Sequence, residues 1–193
     1  MRVIAGKYRS RLLTSLRELD LRPTADRLRE TLFNVLTAGN PAALEGSIWL
    51  DLFAGTGAVG IEAISRGAGF VYFVESSARA AALIRRNLGS VGVDSLGAKA
   101  ALEVIKNDVF RALRILEASD VTADYVFLDP PYRMQNAYAQ TLELLARSPI
   151  VRATTIVVAE HSRKFDPGTE VEDLRRYRTL RQGDSALSFY RKN

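Results

Sequence analysis

Residues 51–60 read DLFAGTGAVG, an aspartate near the end of an apolar run, a turn with Gly55, Gly57 and Gly60 at G-x-G-x-x-G spacing, and the start of a helical pattern. The run that leads into it, IWLDLF (48–53), is short and almost continuously apolar, the signature of a strand buried on both faces. Glycines at such a junction let the chain turn sharply and let the following helix pack close to the strand. Outward from this point, FVYFVE (70–75), ALEVIKND (101–108), YVFLD (125–129) and TTIVVAE (154–160) read as further strands. Between them, GAVGIEAISRG (57–67), SARAAALIRRNLGS (77–90), VFRALRILEAS (109–119) and QNAYAQTLELLARS (135–148) are apolar at helical spacing. Strands alternating with such helices imply a doubly wound parallel sheet covered on both faces.

The two ends of the chain depart from that rhythm. DLRRYRTLR (173–181) and SALSFYR (185–191) are joined by QGDS, which leaves no room for a crossover helix, so they should pair antiparallel. At the other end, RVIAG (2–6) and KYRSRLLTS (7–15) suggest a short hairpin with a basic face. A helix should follow over residues 22–41, capped by Thr24, with a stripe of Leu28, Leu32, Val35 and Leu36 and closure at Gly39 and Pro41. The expected layout is one domain of 193 residues: an appendage over 1–45 and a core over 46–193.

Composition narrows the chemistry. Cysteine is absent, which removes disulfides, thiolate metal sites and cysteine nucleophiles, and the single histidine, His161, argues against a zinc enzyme and reads as structural. No apolar run approaches the roughly 20 residues of a membrane span, and the basic N-terminus does not read as a signal peptide, so a cytoplasmic protein is expected. Net charge is +5, and residues 1–29 alone hold eight bases against three acids, so the surplus reads as an N-terminal feature and the remainder as neutral. Such a concentration, with Tyr8 among the bases, favours a polyanion, although Arg27, Arg29 and Glu30 fit a solvated helix face equally well.

In open α/β sheets, ligands bind beyond the carboxyl ends of the central strands. The glycine turn, with Glu75 twenty residues after Gly55, would by itself suggest a nicotinamide dinucleotide and an oxidoreductase. Asp51 opposes that reading, because a carboxylate just before the glycines repels a pyrophosphate and attracts a cation. S-adenosylmethionine carries an ammonium and a sulfonium and no phosphate. Glu75 suits its ribose hydroxyls, and Asp108 suits its adenine amino group, with Val109 and Phe110 flanking the ring. Each acid alone is more often a helix cap; three on successive strand ends point to a site. Trp49 and Phe53 should be core or pocket wall.

The fourth strand ends in DPPY (129–132). An exocyclic amino group on a nucleobase is a poor nucleophile, because its lone pair is delocalised into the ring. If the Asp129 carboxylate and the Pro130 carbonyl each accept one amino hydrogen, the lone pair is aimed at the methyl donor. Pro130 and Pro131 fix backbone direction and donate no competing hydrogen bond, and Tyr132 offers a ring for the base to stack on. No metal is needed, since the leaving group is a neutral thioether.

These residues resemble the class I S-adenosylmethionine-dependent amino-methyltransferases of nucleic acids, with a Rossmann-like, mostly parallel seven-stranded sheet and a C-terminal antiparallel hairpin. More narrowly, RVIAGKYRSRLL, LRPTADRLRETLFNVL and GDSALSFY resemble the RsmD family, which methylates a guanine exocyclic amine in small-subunit ribosomal RNA. The resemblance implies cofactor contacts from Asp51, Phe53, Ala54, Gly55, Thr56, Gly57, Glu75, Ser76, Asp108, Val109 and Phe110. It implies a target site of Asp129, Pro130, Pro131 and Tyr132, and an N-terminal segment with Arg2, Lys7, Arg9, Arg11, Arg22, Thr24 and Arg27 that faces RNA or closes over the pocket. Ser10 stands where the family pattern has glycine. The implied partner is small-subunit ribosomal RNA or a partly assembled subunit, with no membrane and no obligate protein partner. The competing readings are amino-methylation of adenine in DNA or of another RNA, a nicotinamide-dependent oxidoreductase, and a module that only binds RNA. A structured loop costs less to open than a duplex.

Overall fold

The computed structural model describes residues 1–15, 23–93, 101–131 and 133–193. Among these the elements run α1 (Pro23–Leu36), β1 (Ile48–Leu52), α2 (Ala58–Ser65), β2 (Phe70–Val74), α3 (Ala78–Val91), β3 (Ala101–Ile105) and α4 (Val109–Ala118). They continue through β4 (Ala123–Leu128), α5 (Gln135–Arg147), β5 (Val151–Ser162), β6 (Glu170–Val171), β7 (Leu174–Gln182) and β8 (Ser185–Lys192). One sheet has the order β3-β2-β1-β4-β5-β8-β7-β6. The first five strands are parallel, and β8 pairs antiparallel with both β5 and β7. The expected seven strands are therefore eight: the two-residue β6 adds to the edge through Glu170–Arg175 and Val171–Leu174 pairs. A strand that short lacks the length for an apolar alternation, so the sequence pattern could not display it.

The parallel strands bury both faces. Leu50, Leu52, Val126 and Leu128 join one core with α4 and α5, while Trp49, Phe73 and Phe127 join a second with α1, α2 and α3. Trp49 stacks between Phe33 of α1 and Tyr125 of β4, at ring separations of 5.3 and 5.2 Å. Leu28, Leu32, Phe33 and Leu36 of α1 are all buried in that second core, each burial worth about 1.5–3 kcal/mol. The N-terminal segment thus shares its core with the rest of the chain. Helix α1 begins at Pro23, so Thr24 lies within the first turn rather than ahead of it. Proline there sacrifices no helical hydrogen bond, which is why it displaces the expected cap.

The expected basic hairpin narrows to a single antiparallel bridge, Arg2 with Leu12, supported by backbone bonds such as Val3 N–H to Arg11 at 3.0 Å. What fixes it is α2. The fully buried Glu62 accepts hydrogen bonds from the Ile4 and Ala5 amides at 2.7 and 2.9 Å and from Arg66 at 2.8 Å. Ser65 adds bonds to Tyr8 N–H, Lys7 N–H and the Ala5 carbonyl. Gly6 makes this contact possible, because a Cβ there would sit 1.8 Å from the Ser65 carbonyl oxygen. Ser10 adopts φ 68°, the left-handed conformation that the family's glycine would adopt without strain.

Arg29 corrects the solvated-face expectation. It is buried, donating to the Arg2 carbonyl at 2.6 Å and to Asp26 at 3.0 Å, with Glu62 at 3.8 Å, whereas Arg27 and Glu30 are exposed. Among the described residues no helix is long and apolar enough to cross a membrane.

Candidate functional site

At the carboxyl ends of β1–β4 the sheet opens into a cleft of about 1080 Å³. That exceeds what a single small ligand needs and leaves room for a second group beside it. Of the residues expected at a cofactor, Phe53, Gly55, Glu75, Ser76, Asp108, Val109 and Phe110 line it, and of the expected target site, Asp129 and Pro131 do. Asp51, Ala54, Thr56, Gly57 and Pro130 lie outside the lining. Tyr132 and Arg22 lie outside the described residues. Arg2, Lys7, Arg9, Arg11 and Arg27 are exposed on the surface and do not reach the cleft.

The glycine turn is built as its spacing requires. Phe53, Gly55 and Gly57 take φ of 62°, 55° and 75°, and Gly57 caps the start of α2 in the left-handed conformation. Phe53 is the only non-glycine of the three, and strain of this kind is characteristic of ligand-holding turns. A Cβ on Gly60 would come within 2.3 Å of the Phe73 ring, so the third glycine is required for the close approach of α2 to β2.

The acids divide their work. Glu75 accepts hydrogen bonds from Gly55 N–H at 2.9 Å and Ser77 N–H at 2.7 Å, one on each oxygen, which fixes its carboxylate at the cleft wall with a lone pair free on each. Asp108 caps α4 by accepting from Arg111 N–H at 2.9 Å, so the ordinary capping role and a place in the cleft coincide in one residue. Asp51 is 2% exposed, beneath the turn, and accepts from Gly60 N–H at 2.9 Å. Burial raises its pKa well above the usual carboxylate value, opposed by the Gly60 bond and assisted by Asp129 and Glu75.

Asp129 stands at the mouth of β4, half-buried, and burial pushes its pKa up to about 7. Leu128 pairs with Ala159, so Asp129 and Glu160 follow as neighbours on adjacent strand ends. Glu160 is raised well above its usual value by burial and then by Asp129, with Arg29 pulling the other way. Tyr138 clamps the two strand ends, its hydroxyl donating to the Glu160 carbonyl at 2.9 Å and lying 3.4 Å from the Pro130 carbonyl. Glu160 was not selected from the sequence, where AEHS (159–162) carries no recognisable spacing; the parallel register alone brings it to Asp129. Arg133, Met134, Gln135, Asn136 and Gln140 also line the cleft from the start of α5. Their only sequence signal was position directly after DPPY.

His161 is structural: it is buried, with Nε2 2.9 Å from Ser188 Oγ and Nδ1 2.9 Å from the Ser162 carbonyl. Phe53 is pocket wall and Trp49 is core. Asn87, fully buried on α3, holds Thr14 through both its N–H and its carbonyl, at 2.9 and 3.0 Å, and also donates to the Thr56 carbonyl at 2.9 Å. One side chain therefore ties the N-terminal segment to the glycine turn.

A mostly parallel sheet with an antiparallel C-terminal hairpin, opening into an acid-lined cleft beside a glycine turn, defines an S-adenosylmethionine-dependent methyltransferase. The Escherichia coli protein yhhF has this fold over 100% of the present chain and 98% of its own, with a TM-score of 0.80 and 26% identity. The chain belongs to the RsmD family, whose model, described as Conserved hypothetical protein 95, matches residues 1–191. The Bacillus subtilis protein YlbH is 33% identical, covering 100% of this chain and 99% of its own. Ribosomal RNA small subunit methyltransferase D of Haemophilus influenzae is 36% identical over 83% of this chain and 78% of its own.

Proposed function

We propose that the protein transfers a methyl group from S-adenosylmethionine to the exocyclic amino group of a guanine in small-subunit ribosomal RNA. The observation that carries this reading is the convergence of Glu75, Asp108 and Asp129 on one cleft, with Asp129 followed at once by Pro130 and Pro131. The RNA assignment is supported by the relatives' names and by the basic N-terminal surface.

The cofactor supplies a methyl group on positively charged sulfur. Glu75 accepts from the ribose hydroxyls with its two free lone pairs, and Asp108 accepts from the adenine amino group. Asp51, underneath the turn, contributes rigidity through its bond to Gly60 rather than contact. Asp129 takes one hydrogen of the guanine amino group, and the other is assigned to the Pro130 carbonyl, which lies just outside the cleft lining, 3.4 Å from the Tyr138 hydroxyl. The nitrogen lone pair is then held toward the methyl carbon, and the gain is one of orientation and charge placement. With the cofactor bound, transfer would release it as a neutral thioether and would leave the positive charge on the amino nitrogen. That nitrogen then sheds a proton, and Asp129, with a pKa near 7, is matched to receive it at neutral pH. Tyr132 supplies the stacking surface.

Transfer of labelled methyl to protein-free ribosomal RNA, small subunits and duplex DNA tests the reading. Label in RNA or subunits supports it, and label in DNA alone overturns the substrate. NAD binding by calorimetry, without any response to S-adenosylmethionine, overturns the cofactor as well.

A further inference from the structure

The apparent neutrality of the chain after residue 29 is an average of opposites. Residues 174–193 hold six bases (Arg175, Arg176, Arg178, Arg181, Arg191 and Lys192) against one acid, Asp184, while residues 30–173 hold thirteen bases and eighteen acids. The acidic middle contains the cleft, and both flanks are positive. Within β7 and β8, Arg175 and Arg176 are paired with Glu170 and Asp166, and Lys192 donates to the Ser148 carbonyl. Arg178, Arg181 and Arg191 are exposed and, among the described residues, have no carboxylate partner.

Their surroundings are not those of scattered surface charge. Tyr177 is 49% exposed, the Arg191 guanidinium lies 5.2 Å above its ring, and Tyr177 packs against Phe189, the strand partner of Arg178. The register turns Arg178, Leu180 and Gln182 to the face of the sheet that α1 covers, since Leu180 and its partner Leu187 join the core with α1. At the end of β7, Thr31 of α1 donates to Gln182 at 2.9 Å. Arg27, exposed, lies one turn before Thr31 on the same side of α1. The positive flanks from the two ends of the chain therefore adjoin at the Thr31–Gln182 contact.

We propose that the outer part of the C-terminal hairpin, with Tyr177, Arg178 and Arg191, is a second phosphate-contacting surface for the RNA substrate, continuous with the N-terminal one. The inference rests on RNA being the substrate. Its physical logic is separation of charge: an acidic cleft that holds a cationic donor repels a polyanion, so the phosphates are engaged on the flanks while only a base enters. Arginine with a stacked tyrosine is suited to both phosphate and base. The plainer reading is that charged side chains on strands near a sheet edge only block edge-to-edge association. It predicts no effect on RNA.

The test is binding of protein-free small-subunit ribosomal RNA across about 50–200 mM salt, for the wild type, an Arg178→Gln/Arg191→Gln variant and the matching double lysine variant. Two lost contacts should flatten the slope of log K against log salt by about 1.5–2 and weaken binding roughly twentyfold at physiological salt. The lysine variant should keep most of the slope, and both should bind S-adenosylmethionine as the wild type does, which verifies folding. An unchanged slope in the glutamine variant, with RNA still bound and methylated, overturns this surface and leaves the proposed function standing. A wild type that methylates no ribosomal RNA overturns both.

Discussion

Replacing Asp129 with asparagine should make the protein more stable while disabling it, and the size of the effect should depend on pH. Asparagine keeps the shape of the protonated carboxyl and cannot ionise. In the folded chain the Asp129 pKa is pushed from 3.8 to about 7, so between those values the folded state binds more protons than the unfolded state, and stability falls as pH rises. With those two values the cost of ionising Asp129 is roughly 1–2 kcal/mol at pH 5 and about 4 kcal/mol at pH 8. Part of that cost is shared with Glu160, so about 4 kcal/mol is a ceiling. At roughly 2–4 °C per kcal/mol for a chain of this size, the melting temperature of Asp129→Asn should exceed that of the wild type by up to about 8–16 °C at pH 8, and by much less at pH 5. Thermal unfolding of the two proteins across that range, without cofactor, measures it. A difference that stays constant with pH, or a variant less stable at pH 8, refutes the claim that the cleft holds a carboxylate against its own desolvation. Methyl transfer by the variant should fall by roughly two to three orders of magnitude, with cofactor affinity mostly retained.

Glu160→Gln removes a negative neighbour and should move the acid limb of the rate profile, set near 7 by Asp129, to lower pH; an unmoved limb contradicts the pairing of the two carboxyls. Glu62→Ala leaves the Ile4 and Ala5 amides without their acceptor and Arg29 and Arg66 without their shared carboxylate, and should cost about 3–5 kcal/mol in denaturant unfolding. Gly6→Ala should free residues 1–15 from α2, seen as faster amide exchange there, because its Cβ meets the Ser65 carbonyl oxygen at 1.8 Å. Gly60→Ala should weaken both stability and cofactor binding, since its Cβ cannot coexist with the Phe73 ring.

Features of the sequence that depend on short spacing translated directly into structure. The turn at 53–60 needed positive φ and close packing, and glycines at three fixed positions announced both. The strand ends were visible because an acid or a proline interrupts an apolar run. Contacts between distant segments were not visible. Nothing in proximity along the chain links Glu62 to Ile4, or Glu160 to Asp129; the first pair meets because α2 presents a buried carboxylate to unpaired amides, the second because parallel strands align. Arg29 illustrates the same limit, since its position in a run of charges suggests solvent, and only tertiary packing turns it inward toward Glu62 and the Arg2 carbonyl. Asp51 was legible as an acid below a glycine turn, but its bond to Gly60 gives it a supporting place rather than a cleft surface.

The central claim is that a proline-braced carboxylate presents an exocyclic nitrogen to the methyl donor. Mass spectrometry of nucleosides from ribosomal RNA, methylated in vitro with isotopically labelled S-adenosylmethionine, tests it most directly. The account predicts label on the exocyclic amino nitrogen of guanine, abolished by Asp129→Ala. Label on a ring nitrogen, a ring carbon or a ribose oxygen would contradict it.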